Sequence, residues 1–339
     1  MRQSDPRGRC QRPLFLLALT AAATLAACGG GSSGGAGSPP ASPPPAEASY
    51  KAEIRRTAMG VPHIKADNWA GAGYGYGYAQ AQDDLCTMAN SFLTYRGERS
   101  RHFGPEAQIP FSSTIGRPRN IDSDFFHKHV ISDDVIAELV KQQPETLVKL
   151  VDGFAAGYNR YVRELKAGGS AGAHAACRDE PWVQPVTSTD LFRRMYSANL
   201  AGGLSNFLPN IANATAPAAA TTVAKLGALA RSASAAATKL AKGGIRLPTL
   251  QVGGHEGVGS NMFGFGTTAT GDESPLLFGN PHWYWRGPDR FYQAQLTIPG
   301  QLNVSGTSFL GIPVILIGFN DNVAWSHTVS TARRFGFFQ

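Results

Sequence analysis

The chain has 339 residues, enough for one large or two ordinary domains, and its 42% hydrophobic and 10% aromatic content supplies a real core. A net charge of +7 invites a nucleic-acid reading, but the location of the charge argues against it. Residues 1–27 carry a surplus of three positive charges and residues 217–259 a surplus of four, so the remainder is neutral and no nucleic-acid partner is expected.

Residues 1–27 join a basic start (Arg2, Arg7, Arg9, Arg12) to an apolar run from Leu14 to Ala27 with a small-residue stop, the pattern of a secretory signal peptide. The run is short for a membrane span. Its end, Leu25-Ala26-Ala27-Cys28, resembles the lipobox of bacterial lipoproteins, which implies cleavage before Cys28 and lipidation of its thiol. The plainer alternative is an ordinary signal with a chance cysteine. Residues 28–49, rich in Gly, Ser and Pro, read as a flexible tether stiffened by proline. An exported, periplasmic protein, lipid-anchored to a bacterial membrane and first of all the outer one, is the expectation. Cys10 leaves with the signal and Cys28 takes the lipid, so Cys86 and Cys177 remain. In an oxidising compartment these two form either a disulfide or a pair of buried free thiols. No Cys/His spacing points to a metal.

Residues 50–67 alternate like two short strands around a turn at Met59-Gly60. A helical pattern runs from Trp69 to Tyr95 and closes in YRGERSRHFG, read as a polar loop. Between residues 133 and 166, Val135, Leu139, Leu147, Val151, Phe154 and Tyr158 recur at helical spacing, and Pro144 is expected to start a second helix rather than sit inside one. TSTDLFRRMYSANLAGG is a third helix, capped by Ser188 or Thr189 and stopped by Gly202-Gly203. Residues 214–244 turn alanine-rich and basic with few large apolar side chains, either a surface linker helix or a spacer to be lost. After Ser260, short β-branched and aromatic runs are separated by Gly, Pro and Asn, the texture of strands. His327 falls in such a run and is read as structural. The final RRFGFFQ looks like the middle of a sheet.

One serine raises the question of chemistry. GVGSNMFG lacks the third glycine of a dinucleotide fingerprint and the lysine of a phosphate loop. Val258 and Met262 exclude the Gly-x-Ser-x-Gly elbow. No base sits beside Ser260. Cutting the Gly259–Ser260 bond would supply one, because the freed α-amine of Ser260, with an ordinary pKa of about 7.7–8.0, can take the proton of its own hydroxyl. That hydroxyl can also make the cut by attacking the Gly259 carbonyl, in a turn that Gly257 and Gly259 leave unhindered.

Around this serine the GSN tripeptide, NPHWYW (280–285), RFYQAQLTIPG (290–300) and GIPVILIGFNDNVAWSHTVST (311–331) follow in order, with GVPHIKAD and GYGYAQAQDDLC upstream. Together these blocks resemble the penicillin acylase family of N-terminal nucleophile hydrolases, nearest its acyl-homoserine-lactone and lipopeptide acylase branch, over about Ala52 to Gln339. The resemblance implies an α+β, four-layer αββα fold, incomplete here, made of a helical first chain and the first strands of a β-rich catalytic chain. It also implies a division into signal (1–27), tether (28–49), mainly helical first chain (50–216), removable spacer (217–259) and start of the catalytic chain (260–339). The two chains of one precursor would then pair after self-cleavage between Gly259 and Ser260.

The implied residues follow the motif. Ser260 matches the nucleophile and, through its amine, the base; His282 matches the histidine that orients it. Val329 matches the backbone oxyanion donor, and Trp283, with Trp285 and Phe309, lines an apolar acyl pocket whose bulk favours a shorter chain. Taken alone, His282 would read as a turn histidine and the tryptophans as plain core. Calcium-binding relatives carry acids shortly after the oxyanion valine, where this chain has Arg333 and Arg334, so neither calcium nor any cofactor is expected. The family's second oxyanion donor, an asparagine, would lie beyond Gln339, so the sequence reads as the N-terminal part of a precursor. The expected enzyme is a hydrolase of linear amide C–N bonds. N-acyl-homoserine lactones (quorum quenching) are the first substrates, lipopeptides or β-lactam side chains the second. The rival is a non-catalytic lipoprotein or inactive fragment of the same fold.

Overall fold

A computed structural model describes residues 50–216 and 258–330. The signal, the tether with Cys28, nearly all of the spacer, and Arg333 and Arg334 lie outside the described residues. The expected opening hairpin is present: β1 (Glu53–Arg56) runs antiparallel to β2 (Pro62–Lys65), and the turn between them places Gly60 at φ 82°.

The first long helix, α1 (Trp69–Arg96), is capped by Asn68, whose side chain accepts from Gly71 N–H at 2.8 Å. It is really two helices. Asp84 takes a non-helical φ −152°, ψ 62°, and its Oδ1 accepts from Thr87 N–H at 3.3 Å, so it caps the second half from within. The YRGERSRHFG stretch departs from the expected loop: Arg99–Phe103 form a short helix, α2, with Arg99 buried. The reason is a non-local cap. Asp124 accepts from the backbone N–H groups of Arg99 and Ser100 at 2.9 and 2.7 Å, the helix N-terminus taking a carboxylate from another element.

That carboxylate comes from α3 (Asn120–Val130), a helix no periodicity announces because its faces are inverted. It buries Asn120, Asp122, Ser123, Asp124 and His127 beside a single apolar side chain, Phe126, and leaves Ile121 and Phe125 exposed. Helices α4 (Asp133–Lys141) and α5 (Glu145–Lys166) match the expected pair, with Pro144 immediately before α5. In α6 (Ser188–Asn199) the cap is Thr187 rather than Ser188 or Thr189. Thr187 alone can form a reciprocal capping box with Asp190. A 3-10 segment, Leu200–Gly202, then leads through Gly203 to a short α7 (Leu208–Ala212).

Helices α1 and α5 form the centre of the core through direct backbone contact. A Cβ on Gly73 would stand 1.9 Å from Leu150 O, and one on Gly77 2.1 Å from Phe154 O. Reciprocally, Cβ atoms on Gly153 and Gly157 would meet Ala70 O and Tyr74 O at 1.9 and 2.0 Å. Only glycine allows this approach. Around the contact, buried Tyr76 meets Phe154 edge-on at 5.7 Å and Phe92 meets Tyr158 at 5.5 Å. Cys86 on α1 is disulfide-bonded to Cys177, which settles the open choice between bonded and free thiols.

Downstream, β3 (Gly259–Phe265) and β4 (Leu276–His282) form a separate antiparallel hairpin enclosing a one-turn helix, α8 (Thr267–Thr270). The strands β5 (Phe291–Ile298), β6 (Leu302–Phe309), β7 (Ile317–Phe319) and β8 (Ala324–Trp325) join the opening hairpin in one six-stranded sheet, ordered β1-β2-β5-β6-β7-β8. In β5 the buried Tyr292, Ala294, Leu296 and Ile298 alternate with more exposed residues, as one face against the helices requires. The link between β2 and β5 is parallel, with His63 opposite Gln295, so segments on both sides of Gly259–Ser260 build one sheet. The chain is thus mixed α and β. His327 departs from the expected strand: β8 ends at Trp325, and His327 lies exposed beyond it.

Candidate active site

Ser260 sits at the second position of β3, half-buried, directly opposite Pro281, which has no N–H to donate across the hairpin. Its Oγ donates to the carbonyl oxygen of Gly259. The hydroxyl therefore rests against the one peptide carbonyl whose attack would free the Ser260 amine. Gly259 pairs in register with His282, and His282 Nδ1 lies 3.5 Å from where a Cβ on Gly259 would be. A Cβ at 259 would be in ordinary van der Waals contact with the imidazole.

The histidine is held from its other end. The amide nitrogens of Asn261 and Asn280, a cross-strand pair, lie 3.4 and 3.2 Å from His282 Nε2. Two donors on Nε2 make it the acceptor, so the neutral ring carries its proton on Nδ1, the side facing Gly259. Sequence reasoning singled out neither asparagine. The available signal was their position, each within two residues of a site residue on strands that pair.

Of the three expected acyl-pocket residues, the structure brings two together. Trp283 stacks on Phe309 with ring centroids 5.5 Å apart and planes at 5°, and Phe309 stacks in turn on Phe291 at 5.7 Å. Trp285 stands apart, 93% exposed. Trp283 Nε1 is buried without a hydrogen-bond partner among the described residues. Val329 is half-buried beyond β8, and its N–H donates to no acceptor among the described residues. Three residues earlier, Ser326 Oγ lies 3.5 Å from where a Cβ on Gly279 would be, so the stretch after β8 passes beside β4.

The stacked wall is braced from α6 by a pair the sequence did not reveal. Arg194 and Asp289 are both 0% exposed, with Nη2 to Oδ1 at 2.7 Å. Arg194 Nε also donates to Leu310 O at 3.0 Å, and its guanidinium lies 5.8 Å from the Phe309 ring centroid and 5.2 Å from that of Tyr95. Asp289 accepts from Thr114 N–H at 2.6 Å, and Tyr284 donates to Ser113 O at 3.0 Å. The loop after β4 is thereby tied to residues 113–114 as well as to α6. Nothing in the local pattern marks Arg194 and Asp289, which lie 95 residues apart.

What the arrangement can do is acyl transfer: a hydroxyl against a carbonyl, a proton-bearing imidazole facing the same peptide, and a stacked aromatic wall a short way along the same chain. Among the described residues no group of three or more His, Cys, Asp or Glu could hold a metal ion, and no helix is long and apolar enough to cross a membrane.

The Penicillin amidase family model matches residues 51–339. An acyl-homoserine lactone acylase of Pseudomonas putida is 38% identical over 297 residues, covering 87% of this chain and 35% of that protein. The corresponding acylase of Pseudomonas fluorescens is 38% identical over 288 residues, covering 85% and 34%. Aculeacin-A acylase of Actinoplanes utahensis is 37% identical over 297 residues, covering 85% and 35%. The chain spans about a third of the length of the curated relatives it matches. Among solved structures, a thermostable penicillin G acylase from Alcaligenes faecalis is 20% identical, covers 51% of this chain and 97% of its own, and superposes with a TM-score of 0.34, too loose a likeness to bear on the fold.

Proposed function

The chain belongs to the penicillin amidase family, and from that premise we propose that the protein hydrolyses N-acyl amides through an N-terminal serine exposed by self-cleavage. One observation carries the reading: Ser260 Oγ lies against the Gly259 carbonyl while His282 faces the same residue across the hairpin. In the first reaction Ser260 Oγ attacks the Gly259 carbonyl carbon and the C–N bond breaks. The acyl group passes to oxygen, and water hydrolyses that ester, leaving a carboxylate at Gly259 and a free amine on Ser260.

In the second reaction the amine takes the hydroxyl proton as Oγ attacks the substrate carbonyl. Val329 N–H donates to the developing oxyanion, an interaction of a few kcal/mol in comparable sites. The amine product leaves with a proton, and water releases the acid from the acyl-serine. His282 holds the nucleophile's backbone in place, and the Trp283–Phe309 stack forms the acyl wall, whose bulk favours shorter chains. The protein would take the αββα layering of N-terminal nucleophile hydrolases and act in the periplasm from a lipid anchor on Cys28. It would need no calcium, and its two chains would stay associated.

N-acyl-homoserine lactones are the first substrate class, supported by what the Pseudomonas relatives are named for; lipopeptides come second, supported by the Actinoplanes relative. Intact-mass measurement is expected to find two chains, the second beginning at Ser260, and the Ser260→Ala variant is expected to stay whole and release no homoserine lactone. Amide turnover by the uncut Ser260→Ala chain would sink the proposal.

A further inference from the structure

Away from Ser260, the second half of α1 and the segments 109–115 and 176–182 enclose a cavity of about 220 Å³. Its mouth lies at the exposed Phe111 and Ala176, and its floor at the buried Ser91, Thr94, Ile109 and Ile115. One wall is polar, from Thr87, Asn90, Ser91 and Thr94 of α1; the facing wall is apolar, from Ile109, Ile115 and Trp182. The Cys86–Cys177 disulfide closes one side. The Arg194 guanidinium lies 5.2 Å from the ring centroid of Tyr95, which lines this space, and 5.8 Å from that of Phe309 in the Trp283–Phe309 stack; neither Trp283 nor Phe309 lines the cavity.

Behind the polar wall is a buried cation that forms no ion pair among the described residues, although the charge of Asp124 stands near it. Arg99 donates Nη1 to Asn90 Oδ1 at 2.6 Å and to Thr94 Oγ1 at 3.1 Å, and Nε to Asn120 Oδ1 at 2.8 Å, all neutral acceptors. The nearby carboxylate, Asp124, gives both oxygens to backbone N–H groups. Among the described residues, none that lines the cavity is an acid. With its oxygen held by Arg99, Asn90 has only amide N–H groups to offer the cavity, and the cation behind it favours a negative partner. An apolar cavity of about 150 Å³ already accommodates benzene. This one has space for a ring and a head group.

We propose that the cavity is a binding site for a compact aromatic carboxylic acid, with its carboxylate on the Asn90 amide in front of Arg99 and its ring among Ile109, Ile115 and Trp182. The site goes beyond the hydrolytic reading and does not depend on it. Calorimetric titration of the full chain with benzoate, and with benzamide as the neutral isostere, tests it. Benzoate is expected to bind saturably and at least tenfold more tightly than benzamide, and equally in the Ser260→Ala chain. Filling the cavity by Ser91→Leu, or by Thr87→Met should the first variant not fold, is expected to weaken benzoate at least tenfold while leaving the melting temperature of the free protein at or above the parent's. Equal affinity for benzamide, no saturable binding, or unchanged benzoate binding in a folded filled variant would each overturn the assignment.

Discussion

Buried on α3, His127 has Nδ1 2.7 Å from the Ser123 carbonyl and Nε2 3.4 Å from the Ser197 hydroxyl. A carbonyl only accepts, so the proton sits on Nδ1. Burial pushes the ring's pKa down from 6.5 to about 4. As pH falls below 6.5 the unfolded chain takes up a proton that the folded chain refuses until about pH 4. Stability is therefore expected to be full above pH 6.5 and to decline between there and about pH 4, by up to about 3 kcal/mol. Urea denaturation at several pH values checks this, and in His127→Gln the added slope should vanish. An identical slope in both proteins would assign the effect elsewhere. The Arg194–Asp289 pair makes a second prediction at this scale. Arg194→Met strands a buried carboxylate and should cost about 3–5 kcal/mol. Adding Asp289→Asn should recover part of that loss in chemical denaturation, and a double variant no better than the single would refute the pairing as the cause.

Helix α1 was legible from the stretch Trp69 to Tyr95, with Tyr74, Tyr76, Tyr78 and several alanines, yet what locks it to α5 was carried by the smallest residues. Gly73 and Gly77 on one helix and Gly153 and Gly157 on the other share a spacing of four, the only signal of the contact. Gly77→Ala places a methyl 2.1 Å from Phe154 O, and overpacking of this kind costs about 1–3 kcal/mol or more. Gly202→Ala, with nothing within 4 Å, serves as the control and should leave the unfolding midpoint nearly unchanged. Equal midpoints for the two variants would mean that the helices do not touch as described. Helix α3 went unread for the opposite reason: apart from Phe126 its buried face is polar, and the partners that make this tolerable, Arg99, Ser100 and Ser197, belong to other elements.

For the whole molecule, the disulfide and the shared sheet set how the parts hold together. Cys86 and Cys177 close a loop spanning 91 positions, for which loop-closure entropy gives a stabilisation of roughly 4 kcal/mol. Reduction is expected to lower the unfolding midpoint, and Cys177→Ala should be less stable and indifferent to reductant. No change on reducing the parent chain would contradict the bond. The parallel β2–β5 ladder, the Arg194–Asp289 pair and the 2.6 Å Arg290–Asp84 ion pair all cross from one side of Gly259–Ser260 to the other. A cut there would leave these links in place.

The sequence by itself determined the opening hairpin, helices α1, α4, α5 and α6 and the strand texture after Ser260, because side-chain periodicity and turn residues act over a few neighbours. It also singled out Ser260, His282, Trp283 and Phe309 through a resemblance carried by ordered motifs. Only the tertiary structure decided that Ser260 meets the Gly259 carbonyl, that Trp283 lies on Phe309 while Trp285 faces solvent, and that Asp124 caps α2. The same holds for the buried partnership of Arg194 with Asp289 across 95 residues. Such contacts depend on which distant segments share a space, and burial, charge pairing and backbone approach exist only once that space has formed.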